Sequence, residues 1–381
     1  MKNCWPACWI KWILLLSGSL SIVFTVVVCF QSFKFWRELK GNLPGWIGKV
    51  HRADKTLGYA PIPISSGAMV LADGSTIPVF YDSHGFRSDS QEVFESRLSE
   101  ESQPNYIMGL GCSFTFGFGV QAKSAFCHRI ADKLEMVPLN AGRCSYGLAE
   151  MLILARQFIP KLKPKIVLAQ YSPWLVQRSQ HRYAPTFYGL LPHPYFSDGG
   201  GSSLIIHRPD FNTAIFEKDL ASFRRSDGNF WGLLNFTLNF GCPLFFHDFY
   251  NLSLVAIKNL VGLIPEPSKN QALVETEAYG EIASICKQFG SKMFVVVLGS
   301  SNSILNLPGS LNHLNLRIVN AQFELVKRLT RGSEREYARN YYHWGSVPRR
   351  VIDKHPNELA HEIIANAVVK FVSETLLNER N

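Results

Sequence analysis

Three residues could together carry out nucleophilic chemistry. Ser113 lies in the small-residue segment GCSFTFG (111–117), and Asp353 and His355 lie near the end of the chain in DKHPN (353–357). A serine hydroxyl is a weak nucleophile unless a base removes its proton, and a carboxylate commonly orients that base. In this scheme Ser113 is the nucleophile, His355 the base and Asp353 the orienting group. A loop histidine held before a capped helix is the alternative for His355, and the pairing with the serine turn favours the catalytic interpretation.

Acyl chemistry also requires hydrogen-bond donors for the oxyanion that develops on the carbonyl oxygen. Backbone amides at the start of the helix after Ser113, and in the turn between Gly142 and Gly147, are the candidate donors.

The segments around these residues alternate between strand and helix patterns. Apolar runs predict strands at 106–111, 137–140, 166–171 and 293–298, and helical spacing predicts helices at 125–134, 148–162, 272–289 and 356–376. Such alternation predicts an α/β fold with a mostly parallel sheet covered on both faces. Ligands of these folds bind beyond the carboxyl ends of the strands, where Ser113 and Ser145 both fall.

The chain resembles the SGNH, or GDSL-like, hydrolase superfamily in three blocks. These blocks are GCSFTFGFGV (111–120), NAGRCSYG (140–147) and DKHPNELAH (353–361). The similarity covers about 105–177 and 272–375, with an aromatic-rich insertion at about 178–270. The resemblance implies a flavodoxin-like three-layer α/β/α sandwich. It also implies hydrolysis or transfer of an O-linked acyl group through an acyl-serine.

The blocks depart from the family pattern at three positions. Cys112 replaces the aspartate of Gly-Asp-Ser, and Ser145 stands where the family has an oxyanion glycine, so its backbone N–H can still donate. The asparagine that normally ends the next strand is absent, and Gln170 or Ser172 would have to supply that donor. Losing one donor costs roughly 10²- to 10³-fold in rate in a well-studied protease. A catalytically impaired glycan- or lipid-binding protein is therefore the alternative function.

A charge-free segment near the amino terminus is long enough to cross a bilayer. Residues 12–30 read WILLLSGSLSIVFTVVVCF, which matches the length of a membrane-spanning helix. The predicted organisation is a short tail at 1–11, a single-pass anchor at 12–30, a linker with short strands at 31–104 and the hydrolase-like domain at 105–377. A cleaved signal peptide is the alternative for the anchor.

Basic residues flank both ends of this segment, and their count leans toward a cytoplasmic carboxyl-terminal domain, which opposes the next consideration. We expect an exported, periplasmic domain, because most membrane-tethered enzymes of this kind act on the outer side. The expected partners are the lipid bilayer and an acylated, in particular acetylated, envelope glycan or lipid.

Composition restricts the remaining partners. The formal net charge of +9 suits an anionic lipid or glycan surface, and no basic run with interleaved aromatics indicates nucleic acid. No phosphate loop, dinucleotide fingerprint or metal-ligand cluster is found, so neither a cofactor nor a metal is predicted. A disulfide between two of Cys112, Cys127 and Cys144 is an open alternative, and the oligomeric state is not encoded in any recognised pattern.

Several aromatic side chains have both a functional and a structural interpretation. His343 and Trp174 could line a pocket, with aromatic packing as the alternative for both. His361 is expected to be a surface or buried histidine of the final helix. The aromatic-rich stretch 229–264 could form a lid or a membrane contact, or be ordinary core of the insertion.

Overall fold

The computed structural model describes most of the chain outside its amino-terminal segment and its insertion. The described residues are 45–90, 105–180, 183–186, 189–198, 204–209, 269–305, 308–345 and 349–379, together with 19, 21–27 and 29. The chain divides into two compact units. One comprises residues 1–42, 188–190 and 214–265, and the other comprises 43–187, 191–213 and 266–381.

In the first unit, the described residues 21–27 are helical and belong to the predicted anchor at 12–30. The rest of that segment, apart from residues 19 and 29, lies outside the described residues, as does the aromatic stretch 229–264. Among the residues that are described, no helix combines the length and the apolar character needed to traverse a bilayer.

The second unit contains the strands and helices that position the candidate site. Its strands, with β11 extending into the first unit, are β1 (Gly45–Ile47), β2 (His51–Asp54), β3 (Gly58–Pro61), β4 (Ser65–Val70), β5 (Thr76–Tyr81), β6 (Arg87–Ser88), β7 (Tyr106–Leu110), β8 (Val137–Asn140), β9 (Ile166–Tyr171), β10 (Tyr183–Thr186), β11 (Gly189–Pro192), β12 (Tyr195–Asp198), β13 (Leu204–His207), β14 (Lys292–Val297), β15 (Arg317–Val319), β16 (His343–Gly345) and β17 (Arg350–Asp353). Its helices are α1 (Ser113–Phe116), α2 (Phe126–Lys133), α3 (Leu148–Leu162), α4 (Pro173–Arg178), α5 (Lys269–Gln288), α6 (Gly309–Asn312), α7 (Ala321–Val326), α8 (Glu334–Tyr341) and α9 (Glu358–Asn378).

Nine of the strands form one mixed sheet in the order β1-β4-β5-β6-β8-β7-β9-β14-β15. The neighbouring strands β8, β7, β9, β14 and β15 pair in parallel, as the alternating sequence pattern predicts. The neighbouring strands β1, β4, β5, β6 and β8 pair antiparallel. The expectation of a mostly parallel sheet is therefore incomplete. Within residues 31–104, predicted as a linker with short strands, β1, β4, β5 and β6 extend the same sheet, whereas β2 and β3 form a separate two-stranded sheet. Arg87 of β6 pairs with Asn140 of β8.

Helices cover the parallel part of the sheet on both faces. The chain moves from β7 to β8 in one direction and from β8 to β9 in the other. Because such crossovers are right-handed, α2 and α3 must lie on opposite faces. Helix α5 packs against α3, whereas α7 and α9 lie with α2, where α9 contacts both α2 and α7. The result is an α/β/α arrangement of three layers.

The central strands are apolar apart from Gln170 because both of their faces are covered. Every residue of β7 and of β9 is buried, which is typical of parallel strands between two helical layers. These two strands end beside each other, and the segments that follow them carry Ser113 and Ser172.

Candidate active site

The nucleophile candidate begins a single helical turn directly after β7. Ser113 is the first residue of α1 and is 6% exposed. Gly111, between the strand and the turn, has no room for a side chain, because an added Cβ would lie 2.1 Å from Thr115 Oγ1. Gln170, at the end of β9, supports the turn from below. Its Oε1 accepts hydrogen bonds from Cys112 N at 3.0 Å and from Thr115 Oγ1 at 2.8 Å.

The histidine and the aspartate lie on the short connection between β17 and α9. Asp353 ends β17, and Asn357 caps α9 by accepting a hydrogen bond from Ala360 N at 3.0 Å. The Oδ1 atom of Asp353 accepts from the backbone N of His355 at 2.7 Å. This closed turn fixes the direction of the imidazole.

One hydrogen-bond chain joins the three predicted side chains. His355 Nδ1 lies 2.5 Å from Asp353 Oδ1, and His355 Nε2 lies 2.8 Å from Ser113 Oγ. Since an ionised carboxylate only accepts, Nδ1 carries the hydrogen and Nε2 accepts from the serine hydroxyl. Burial raises the pKa of Asp353, but the hydrogen bonds and proximity of His355 outweigh it, so the pKa lies below its ordinary value. The carboxylate is thus ionised and able to stabilise an imidazolium.

Two of the predicted oxyanion donors are backbone amides, those of Ser113 and Ser145. In the part of the chain that is described, neither Ser113 N nor Ser145 N donates to an acceptor. Ser145 adopts φ 65°, a left-handed conformation, within the turn 141–147. That turn lies against α1, because a Cβ added to Gly142 would lie 2.4 Å from Phe116 N.

The other three tentative oxyanion donors are engaged in the scaffold. Gly142 N donates to Asn140 Oδ1 at 3.1 Å. Gln170 Nε2 donates to Cys112 Sγ at 3.2 Å and to Ser172 Oγ at 2.9 Å, which uses both of its hydrogens. Ser172 Oγ donates to Leu298 O at 2.7 Å. These hydrogen bonds connect Gly142, Gln170 and Ser172 to the scaffold around the serine turn.

Asn140 is a site residue whose role the sequence did not reveal. Its Nδ2 donates to Thr115 O at 3.0 Å, and the peptide unit of that carbonyl supplies Phe116 N, which donates to Cys112 O at 2.9 Å. The carbonyl of Cys112 shares its peptide unit with the amide of Ser113. Successive hydrogen bonds polarise one another, so Asn140 strengthens the free Ser113 amide as a donor. An asparagine that ends a parallel strand next to the serine strand is the signal that could have found it.

Aromatic rings surround the imidazole. Phe114 and Phe118 have ring centroids 5.5 and 4.8 Å from that of His355. Trp174 packs edge-on against Phe114 at 5.2 Å, so it belongs to this aromatic wall. His343 lies near this site, and His343 Nε2 donates to Pro356 O, next to His355, at 3.2 Å. Burial lowers the pKa of His343, which leaves the ring neutral near pH 7.

The remaining candidates have structural roles. His361 is completely buried, and its Nδ1 accepts a hydrogen bond from Phe126 N at 3.2 Å. Cys112, Cys127 and Cys144 are free buried thiols, and burial raises the pKa of Cys127 to about 12. Within the described residues, no group of three His, Cys, Asp or Glu side chains is arranged to hold a metal ion.

The fold and the site together define a three-layer α/β protein that carries a Ser–His–Asp hydrogen-bond chain. No family model matches the chain, and no curated protein matches it.

Solved structures that match include lipolytic and ester-hydrolysing proteins. One is a protein of the G-D-S-L family from Desulfitobacterium hafniense, described as lipolytic, with 8% identity, 70% of this chain and 99% of that chain covered, and a TM-score of 0.34. A GDSL-like lipase from Bacteroides thetaiotaomicron has 9% identity, coverages of 75% and 98%, and a TM-score of 0.30. A carbohydrate esterase family 2 enzyme with a carbohydrate-binding domain, from Corynascus thermopiles, has 11% identity, coverages of 87% and 99%, and a TM-score of 0.33. Likeness at this level assigns no activity to the chain, and the function proposed below depends on the geometry of the site.

Proposed function

We propose that the protein is an SGNH-type serine hydrolase that cleaves or transfers an O-linked acyl group. The observation that carries the proposal is the hydrogen-bond chain from Ser113 Oγ through His355 to Asp353, with distances of 2.8 and 2.5 Å. These are the contacts that a nucleophile, its base and an orienting carboxylate must make.

The chemistry follows from the positions of these atoms. Ser113 Oγ attacks the ester carbonyl while His355 Nε2 takes its proton, and the ionised Asp353 stabilises the resulting imidazolium. The amides of Ser113 and Ser145 donate to the oxyanion. His355 then returns the proton to the leaving oxygen, which leaves an acyl-serine. Water or a sugar hydroxyl, deprotonated by the same imidazole, resolves that intermediate.

Labelling with a fluorophosphonate tests the nucleophile directly. We expect the wild-type protein to be labelled and Ser113→Ala to lose labelling completely, because the reagent forms its bond to an activated serine. Ser291→Ala is the matched control. Ser291 is 8% exposed and directly precedes β14. It therefore lies at the amino end of its strand, whereas Ser113 follows the carboxyl end of β7. Equal labelling of wild type and Ser113→Ala, with both proteins folded by circular dichroism, would refute the proposal.

We further propose that the chain is anchored in a membrane by residues 12–30 and acts on an acylated, in particular acetylated, envelope glycan or lipid on the exported side. The uncharged run at 12–30 supports the anchor, and the net charge of +9 suits an anionic envelope surface. Trp174, which is partly exposed and packs on Phe114 beside the imidazole, suits a sugar ring or an acyl chain.

A binding protein with an impaired site is the second candidate. Its supporting observation is that Gln170 and Ser172 are engaged in the scaffold, so two backbone amides remain as donors. If fluorophosphonate does not label the folded wild-type protein, retention of an acidic glycan by wild type and Ser113→Ala alike would support this candidate. Labelling that depends on Ser113 would exclude it.

A further inference from the structure

A buried arginine from the antiparallel part of the sheet grips the loop that follows the serine. Arg87, in β6, is 1% exposed. Its Nη1 donates to Phe116 O and to Gly117 O, both at 2.6 Å, and its Nη2 donates to Val120 O. The guanidinium carbon also lies 4.5 Å from the centroid of the Phe116 ring. The planar fork thus binds the loop at three carbonyl oxygens.

Two of these carbonyls belong to the peptide units that hold Ser113. The carbonyl of Phe116 shares its peptide unit with the amide of Gly117, and the carbonyl of Gly117 shares its unit with the amide of Phe118. Both amides donate to Ser113 O, each at 3.0 Å. A single peptide unit therefore separates Arg87 from the main chain of the nucleophile, along two parallel paths.

The surroundings of Arg87 show that this contact is costly. A guanidinium removed from water loses much hydration free energy, and its partners are neutral carbonyls. Burial accordingly lowers the pKa of Arg87 to about 10. Gly117 has φ 80°, and a Cβ at this position would lie 3.0 Å from Arg87 Nη1. A glycine at 117 lets the guanidinium approach the backbone this closely.

We propose that Arg87 is a positioning residue that sets the location of Ser113 relative to His355. This inference rests on the proposed function. Arginine is required because lysine retains the charge but presents one nitrogen, which cannot span the three carbonyls as the planar fork does. Methionine removes both the charge and the donors.

The test uses the full chain and normalises activity to functional sites. Fluorophosphonate titration gives the number of reactive serines, and hydrolysis of 4-nitrophenyl acetate gives kcat and KM. In Arg87→Lys we expect kcat per titrated serine to fall about tenfold or more with KM within about twofold, because misplacing a nucleophile slows the chemical step. Val372→Ala is the control for stability. Val372 is completely buried in α9, and this variant should lower the melting temperature without changing kcat per titrated serine.

Hydrogen exchange supplies a readout that does not depend on activity. Loss of the fork should speed exchange at the amides of Gly117 and Phe118 by about tenfold or more, while the amides of β7 are unchanged. An Arg87→Lys variant with wild-type kcat per titrated serine and wild-type exchange would overturn the inference. If Arg87→Met does not fold, the lysine variant alone decides. An unlabelled wild-type protein would refute the proposed function, and exchange would still show whether Arg87 holds the loop.

Discussion

At the scale of single residues, Gln170 carries a side-chain amide, as an asparagine would, but this amide makes different contacts. Gln170 stands where the resemblance implies an asparagine donor, yet its amide reaches back under the serine turn. There it accepts from Cys112 N and Thr115 Oγ1 and donates to Ser172 Oγ. Gln170 therefore supports the turn that carries Ser113. Asn140 contributes to the same turn by donating to Thr115 O at 3.0 Å.

Asp82 is a buried carboxyl group in the turn that follows β5, and its ionisation affects the stability of the protein. Its Oδ1 accepts from the backbone N atoms of His84 and Phe86, both at 2.8 Å. Burial nevertheless raises the pKa of Asp82 to about 6 from 3.8. The folded state thus binds more protons than the unfolded state between those values, and its stability falls as the pH rises from about 4 to 6.

We expect Asp82→Asn to remove this dependence. The free energy of unfolding of wild type, measured by urea titration relative to Asp82→Asn, should fall by about 2.4 kcal/mol between pH 4 and pH 7, since the unfolded carboxyl is already mostly ionised at pH 4. A difference between the two proteins that is constant with pH would contradict this expectation.

At the scale of elements, the serine loop and the β16–β17 hairpin meet at one close contact. His343 of β16 pairs with Asp353 of β17, and its Nε2 holds Pro356 O, next to the base. Gly119, with φ 90°, packs on this ring so closely that an added Cβ would lie 2.5 Å from His343 Nε2. Gly119 and His343 therefore form one of the contacts between the loop that follows Ser113 and the hairpin that precedes His355.

Gly119→Ala should disturb this placement. The methyl group would displace His343, Pro356 O would lose its donor, and the imidazole of His355 would shift from Ser113. We expect the rate of fluorophosphonate labelling to fall about 10- to 100-fold. Gly290→Ala is the matched control. Gly290 also has a positive φ, 74°, but nothing lies within 4 Å of an added Cβ. Similar losses in both variants would attribute the effect to backbone strain alone.

The hydrophobic pattern of the sequence predicted the central strands, because burial on both faces requires a run of apolar residues. The strands β7 and β9 are apolar apart from Gln170, and their burial on both faces confirms the prediction of buried strands. The types and spacing of Ser113, Asp353 and His355 indicated which side chains to bring together. The contact between Gly119 and His343 could not be predicted, because it depends on the relative position of two loops that lie far apart in the chain.

At the scale of the whole molecule, the antiparallel strands are part of the domain that carries the site. Tyr59 OH donates to Cys144 O, and Tyr146 OH donates to Tyr59 O at 2.6 Å, so β3 and the turn 141–147 hold each other. Arg143 also donates to Gly85 O. The alternation of β and α segments did not reveal these contacts. The hydrophobic pattern of a strand does not identify the strand with which it pairs. The sequence at 31–104 therefore indicated strands without indicating where they pair.

The proposed anchoring makes a prediction at this scale. Lys55 is exposed in the turn between β2 and β3. If the domain is exported, a membrane-impermeant maleimide should modify Lys55→Cys in intact cells, above the labelling of the wild-type protein with its native thiols. Modification that requires lysis of the cytoplasmic membrane would place the domain on the cytosolic side.

The long separation of the triad along the chain has a consequence for synthesis. His355 is 242 residues from Ser113, and it reaches the serine through a turn that α9 and β17 enclose. A nascent chain emerging from the ribosome exposes the serine turn long before the base has been translated. Without the base the hydroxyl stays protonated and unreactive. Under the proposed mechanism, Ser113 therefore becomes a nucleophile only when the last segment docks.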